Sequence, residues 1–212
     1  MFQRRQFVQL AGLSAVLSGC SIQALGPLRR TALPPEAALP GLRAPALGQH
    51  WTYRVFNMYN SEQLDTVREE ITSVAPVITI GRQSARHGAL PAEVHAGWGQ
   101  VRQDPVWESL QTYDTPLPIW PSSLAKGTSE SVETTYHPDS SSYRLRIQVQ
   151  SRVTDLEQIT VGSAVFNTLR IDKTIRLNHR DSSRIDYLRT DTLWLAPDIG
   201  RWVAREINGE YR

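Results

Sequence analysis

The clearest pattern in the chain runs from Tyr143 to Val153, where every odd position except Ser151 is apolar and every even position is polar. A period of two over this length predicts an antiparallel strand with one buried and one wet face. The alternation recurs from Val165 to Leu177, with Arg170, Asp172, Thr174 and Arg176 on the wet side, and again over Ile185 to Leu195 and Trp202 to Tyr211. Turn-forming clusters separate these runs at Asn178-His179-Arg180-Asp181 and Pro197-Asp198-Ile199-Gly200. Earlier, Trp51, Tyr53 and Val55 alternate with Thr52 and Arg54, and Asn60-Ser61 supplies a turn. Leu64 to Val74 then places Val67, Glu69, Ile71 and Ser73 on one side. Val77-Ile78-Thr79-Ile80 reads as a compact strand ended by Gly81. No stretch keeps a helical period over three turns. The expected fold is mainly β: a single domain of long antiparallel strands forming a strongly curved sheet or open barrel, with a closed β-sandwich as the alternative.

A faint internal echo runs through this pattern. Pro45-Ala46-Leu47-Gly48-Gln49-His50-Trp51 and Pro121-Ser122-Ser123-Leu124-Ala125-Lys126-Gly127-Thr128 each set Pro and Leu before a Gly that opens a strand, the second being Ser131 to Tyr136. Two copies fit two similar half-sheets; generic strand-opening chemistry is the simpler reading.

The first 48 residues follow different rules. Residues 1–19 read as a signal peptide, with Arg4 and Arg5 as a positive start and Leu10 to Leu17 as an apolar run. That run is far short of the ~20 apolar residues that span a bilayer. Leu17-Ser18-Gly19-Cys20 resembles the lipobox of bacterial lipoproteins. The resemblance implies a diacylglyceryl group on Cys20, cleavage after Gly19 and a fatty acyl chain on the new amine. Gln3-Arg4-Arg5-Gln6-Phe7-Val8-Gln9 resembles a twin-arginine export signal, departing from it at Gln3 and Gln9. A general secretory leader that carries Arg-Arg is the alternative. In such lipoproteins Ser21, rather than Asp, after the cysteine implies the outer membrane, with the domain facing the periplasm. Residues 20–48 then form a tether broken by Pro27, Pro34, Pro35, Pro40 and Pro45, with one short helical turn near Pro35-Glu36-Ala37-Ala38-Leu39. Its Leu33, Leu39, Leu42 and Leu47 are available to pack on the β-rich domain of residues 49–212.

Composition narrows the partners. Formal net charge is +2, and Arg4 and Arg5 account for it, so 21 basic and 21 acidic residues remain from Cys20 onward. That balance argues against a nucleic-acid partner, which requires a basic surplus. The single cysteine excludes a disulfide within the chain, and lipidation accounts for its presence.

Candidate chemistry is sparse. The five histidines, His50, His87, His95, His137 and His179, show no metal-ligand spacing and read as exposed loop residues. No metal or other cofactor is implied, and no G-x-S-x-G nucleophile elbow occurs. Ser140-Ser141-Ser142 and Ser182-Ser183 read as turns. Glu69 and Glu70 are adjacent, so on a strand they face opposite ways and cannot serve one substrate together. Gly97 and Gly99 lack the following helix that a phosphate loop needs. Trp98, Trp107, Tyr113 and Trp120 lie in a Pro-punctuated middle segment. They are candidates for a ligand or partner surface, and equally suited to capping the sheet as core.

Leu193-Trp194-Leu195-Ala196-Pro197-Asp198-Ile199-Gly200-Arg201-Trp202-Val203, with the opening Gly48 to Tyr53, resembles uncharacterised β-rich periplasmic and lipoprotein domains. That likeness implies a fold and no activity. The functional expectation is a membrane-anchored, non-catalytic binding module for a hydrophobic ligand or an envelope protein partner. The alternatives are an envelope hydrolase with a site assembled in space and an accessory subunit of an envelope complex.

Overall fold

A computed structural model of the protein describes residues 5–10, 28–34, 37–105, 110–139, 144–178 and 187–211. Its strands are β1 (Arg5–Leu10), β2 (Arg29–Ala32), β3 (His50–Asn57), β4 (Gln63–Ser73), β5 (Ile78–Ser84), β6 (Gly88–Gly97), β7 (Gln100–Asp104), β8 (Gln111–Pro118), β9 (Ser129–Pro138), β10 (Leu145–Val161), β11 (Ala164–Asn178), β12 (Tyr187–Ala196) and β13 (Arg201–Tyr211). The fold is mainly β, with no helix among the described residues. From β3 to β13 each strand pairs with the next, so the sheet is a long meander. β2 lies against Glu157 to Thr160 of β10, past the end of the β9 ladder. The two ends of the meander, β3 and β13, are not paired with each other. Each instead pairs antiparallel with the backbone of β1.

The sheet is strongly curved. Five strand spacings separate β13 from β6 in sheet order, which is about 24 Å on a flat sheet. Yet Arg201 at the start of β13 donates to Glu93 of β6 at 3.0 Å. The inner face carries most of the core. One cluster includes Val101, Tyr113, Leu117, Trp120, Ile147, Val149, Val153, Ile171, Ile175, Leu193 and Trp202. A second, around Trp51, Tyr53, Ile71, Ile78 and Ile80, lines the first half of the meander.

The internal echo extends to geometry. Gln49 N–H donates to Ala46 C=O, Gly48 N–H to Ile71 C=O, and Ile71 N–H to Gln49 C=O. In the second copy Thr128 N–H donates to Ala125 C=O, Gly127 N–H to Val153 C=O, and Val153 N–H to Thr128 C=O. Gly48 and Gly127 both hold positive φ, 77° and 89°, where a side chain would be strained. Next to Ile71 and to Val153 the register slips past a threonine, Thr72 and Thr154. Each threonine hydroxyl donates to a carbonyl on the following strand, Thr79 and Arg170, at 3.3 Å in both cases. The segments β3–β5 and β9–β11 are therefore alike in how they open and in where their pairing slips, and strand-opening chemistry alone does not explain the likeness.

Several expectations need correction. Gly81 does not end a strand; it lies inside β5, where the pairing with β6 is irregular between Ile80 and Arg82. The Pro-rich tether is docked over residues 28–34 and 37–48, through three of the four leucines available for packing. β2 joins the sheet, Leu33 N–H donates to Leu156 C=O, and Leu33, Leu39 and Leu42 pack on the main core, while Leu47 stays exposed. Its expected helical turn falls partly on Pro35 and Glu36, outside the described residues; Ala37 N–H donates to Pro34 C=O. The expected turn at Pro197 to Gly200 is present. The one at His179 to Asp181 lies outside the described residues, as do Ser140 to Ser142 and Ser182-Ser183.

Candidate functional site

Alternation along β4 puts Val67, Glu69 and Ile71 on the inner face, and Glu70 falls on the other side with Arg68. A carboxylate on a face destined for burial needs partners. Glu69 accepts from Arg82 of β5 at 3.2 Å and from Arg201 at 2.8 Å. Arg201 also bridges to Glu93 through both terminal nitrogens, and its guanidinium lies 3.4 Å from the Trp202 ring centroid. Glu93 in turn holds His95, with Nε2 to Oε1 at 2.6 Å. Gly99 N–H donates to His95 Nδ1, so Nδ1 is the acceptor and Nε2 carries the proton given to Glu93. Burial alone would raise the Glu93 carboxyl, but the Arg201 charge and the His95 hydrogen bond hold it well below the ordinary range. Both ring nitrogens of His95 are therefore engaged, and the cluster is a buried lock between strands rather than a poised acid and base.

A second polar cluster sits on the inner face of the other half. Arg189 makes a bidentate pair with Asp191, at 2.5 and 2.7 Å, and Arg205 reaches the same carboxylate at 2.5 Å. Burial would raise the Asp191 carboxyl, but the two guanidinium charges hold it far below its usual range. Lys173 of β11 stands directly between Ser151 of β10 and Asp191 of β12 in the strand register. Its ammonium is buried, and among the described residues its one hydrogen bond is a long one, 3.4 Å, to the carbonyl of Pro118. Burial pushes its pKa down to about 8; Asp191 opposes this, and Arg205 and Arg189 add to it.

The aromatic candidates are drawn inward. Tyr113 and Trp120 are core residues at 2% and 6% exposure, too enclosed to form an outer surface. Trp98 is half-buried, stacked on His95 and Trp51 and edge-on to Trp120. Tyr113 hydroxyl donates to Asp104 at 3.2 Å, on the side of the second cluster. Trp107, Arg4, Leu17, Ser18, Gly19 and Cys20 lie outside the described residues, and Arg5 opens β1. The histidines do not all lie in exposed loops. His95 is fully buried in β6, and His50 and His137 are on strands, where His137 meets Asp114. His87 is exposed in a turn, and His179 falls outside the described residues. Among the described residues no three His, Cys, Asp or Glu side chains are grouped to hold a metal.

Lys173, Arg189 and Asp191 were not singled out from the sequence, although parity marks them. Each stands in parity with buried apolar neighbours, Ile171 and Ile175 beside Lys173 and Leu193 and Leu195 after Arg189 and Asp191, which places it on the inner face. Arg201 carried no such signal, because it lies at the junction of a turn and a strand. Comparison with protein-family models, with curated proteins and with solved structures finds no match to this chain.

Proposed function

We propose that this chain is a lipid-anchored protein of the cell envelope, held by Cys20 in the outer membrane, whose curled sheet is a non-catalytic binding module for a hydrophobic ligand. The observation that carries the reading is the inner face. It is apolar and aromatic over most of both halves of the strongly curved sheet, the lining that a hydrophobic ligand requires. The envelope hydrolase is less well supported, because neither ring nitrogen of His95, the buried histidine among the described residues, is free to serve a serine. A protein partner is favoured by a different observation. β3 and β13 leave two strand edges facing β1, and sheet edges accept added strands. If residues 1–19 are removed on export, a partner strand can take that place, and this is also how an accessory subunit would dock.

Native mass spectrometry of protein extracted from its own membranes tests the ligand. A reproducible added mass in the lipid range is expected, whereas a stoichiometric protein and no lipid would favour the partner. Metabolic labelling with a fatty-acid analogue tests the anchor. Wild type should take up label and require detergent for extraction, and Cys20→Ala should do neither. Wild-type protein that stays soluble and unlabelled would remove the anchor from this reading.

A further inference from the structure

The two half-sheets can be compared position by position. Ile71 corresponds to Val153 through the shared strand-opening bonds, and across the ladder Ile80 corresponds to Ile171. Two residues along, the register sets Glu69 opposite Arg82 in the first half and Ser151 opposite Lys173 in the second. In the first half the inward cation meets an inward carboxylate at 3.2 Å. In the second half the cation is kept and the carboxylate is replaced by a hydroxyl-bearing side chain two bonds shorter. Asp191, the nearest acid in register, is taken by Arg189 and Arg205. Among the described residues no carboxylate oxygen lies within 4.0 Å of Lys173 Nζ. A buried ammonium with no carboxylate in direct contact, whose nearest acid in register is already shared by two guanidinium groups, is costly, and such groups mark places where a ligand supplies the missing partner.

We propose that Lys173, beside Ser151, is the recognition point for a singly charged oxyanion carried on an apolar body, of which the carboxylate of a long-chain fatty acid is the simplest. The ligand carboxylate takes the place that Glu69 fills in the first half-sheet. It accepts from Lys173 Nζ and from the Ser151 hydroxyl. The charged groups facing this point are Asp191 and Arg189 from β12, Arg205 from β13 and Asp104 from β7, with the Pro118 carbonyl from β8. The apolar body is required by the surroundings: Val149 and Val153 flank Ser151, Ile171 and Ile175 flank Lys173, and Leu193 follows Asp191 on the same face. This rests on the hydrophobic-ligand reading and gives that ligand its headgroup.

The test uses the membrane-anchored protein in nanodiscs, a photoactivatable twelve-carbon fatty acid and the matching alcohol, with crosslinks mapped by peptide mass spectrometry. The fatty acid should label inner-face peptides of β10 and β11 in the wild type. Labelling should fall about tenfold or more in Lys173→Met, the effect of losing a charge-assisted hydrogen bond, and the alcohol should label both proteins alike. Ser151→Glu is the second variant. It supplies the missing carboxylate within the chain, so it should exclude the fatty acid and raise the melting temperature. Equal fatty-acid labelling of wild type and Lys173→Met overturns the anion site while leaving the hydrophobic-ligand reading intact. Absence of inner-face labelling by either probe overturns both. Loss of labelling in the presence of millimolar acetate or phosphate would identify a small free anion as the occupant and overturn the apolar body.

Discussion

Lys173 is unusual in a way that pH can expose. A lysine in the unfolded chain titrates near 10.5, and burial brings this one down to about 8. Between those values the unfolded chain binds more protons than the folded one, so unfolding free energy must rise with pH. The sign is opposite to that of a paired lysine. The destabilising contribution is complete below pH 8 and disappears as pH approaches 10.5. Its full size is about 3 kcal/mol, at roughly 1.4 kcal/mol per pH unit of displacement. The only other lysine, Lys126, is half-exposed and paired with Asp155, so the comparison is clean. Urea unfolding of wild type and Lys173→Met at a series of pH values should show the variant more stable by a few kcal/mol at pH 7. The two should converge toward pH 10. A difference that does not change with pH would mean that Lys173 has a counter-charge in solution.

At the scale of elements, what was legible depended on whether parity and polarity agreed. β10 alternates almost without fault from Leu145 to Val153, and the expected ranges of β10, β11 and β13 differ from the observed strands by a few residues at most, apart from the C-terminal extension of β10 to Val161. β6, β7 and β8 were missed. β6 buries Glu93 and His95, β8 buries Gln111 and contains Pro116 and Pro118, and both blur a period that relies on polar residues facing water. The tether's docking is legible in its leucines but not in its pairing with the sheet. Five prolines argue against a helix, but they do not prevent an extended segment from docking along a sheet, as β2 and Leu33, Leu39 and Leu42 do. Arg43 N–H donates to Pro197 C=O at 2.8 Å, and Gly200 is bare because a Cβ there would stand 2.6 Å from the Arg43 carbonyl oxygen. The fragment of residues 49–212 should therefore be less stable than residues 28–212. Three half-buried leucines and the β2 ladder make the expected loss about 3 kcal/mol or more. Thermal melts of the two fragments measure it, and equal melting temperatures would show that the docking contributes nothing.

Across the whole molecule, the repeat and the two buried clusters explain each other. A sheet whose two halves open alike must fix how far it rolls, and apolar contacts alone leave that angle loosely specified. Arg201 supplies a directional tie, reaching from β13 to Glu69 on β4 and to Glu93 on β6, across 132 and 108 residues of chain. Replacing it with Met leaves two inward carboxylates without their shared cation, and breaking a buried ion network in this way costs about 3–5 kcal/mol. Arg201→Met with Glu93→Gln should recover part of that loss, because one of the stranded charges is removed with its partner. The same network sets the acid limit of the fold. Glu93 is held well below its ordinary value near 4.5, so its contribution is complete above that pH and is lost as pH falls through the lower value of the folded state. Asp191, displaced in the same direction, adds to the effect. Wild type should accordingly keep its native circular dichroism well below pH 4.5. Arg201→Met should lose it at higher pH, because without the guanidinium the Glu93 carboxyl takes up its proton earlier. An acid midpoint unchanged by the substitution would mean that the roll of the sheet is set by the apolar core alone.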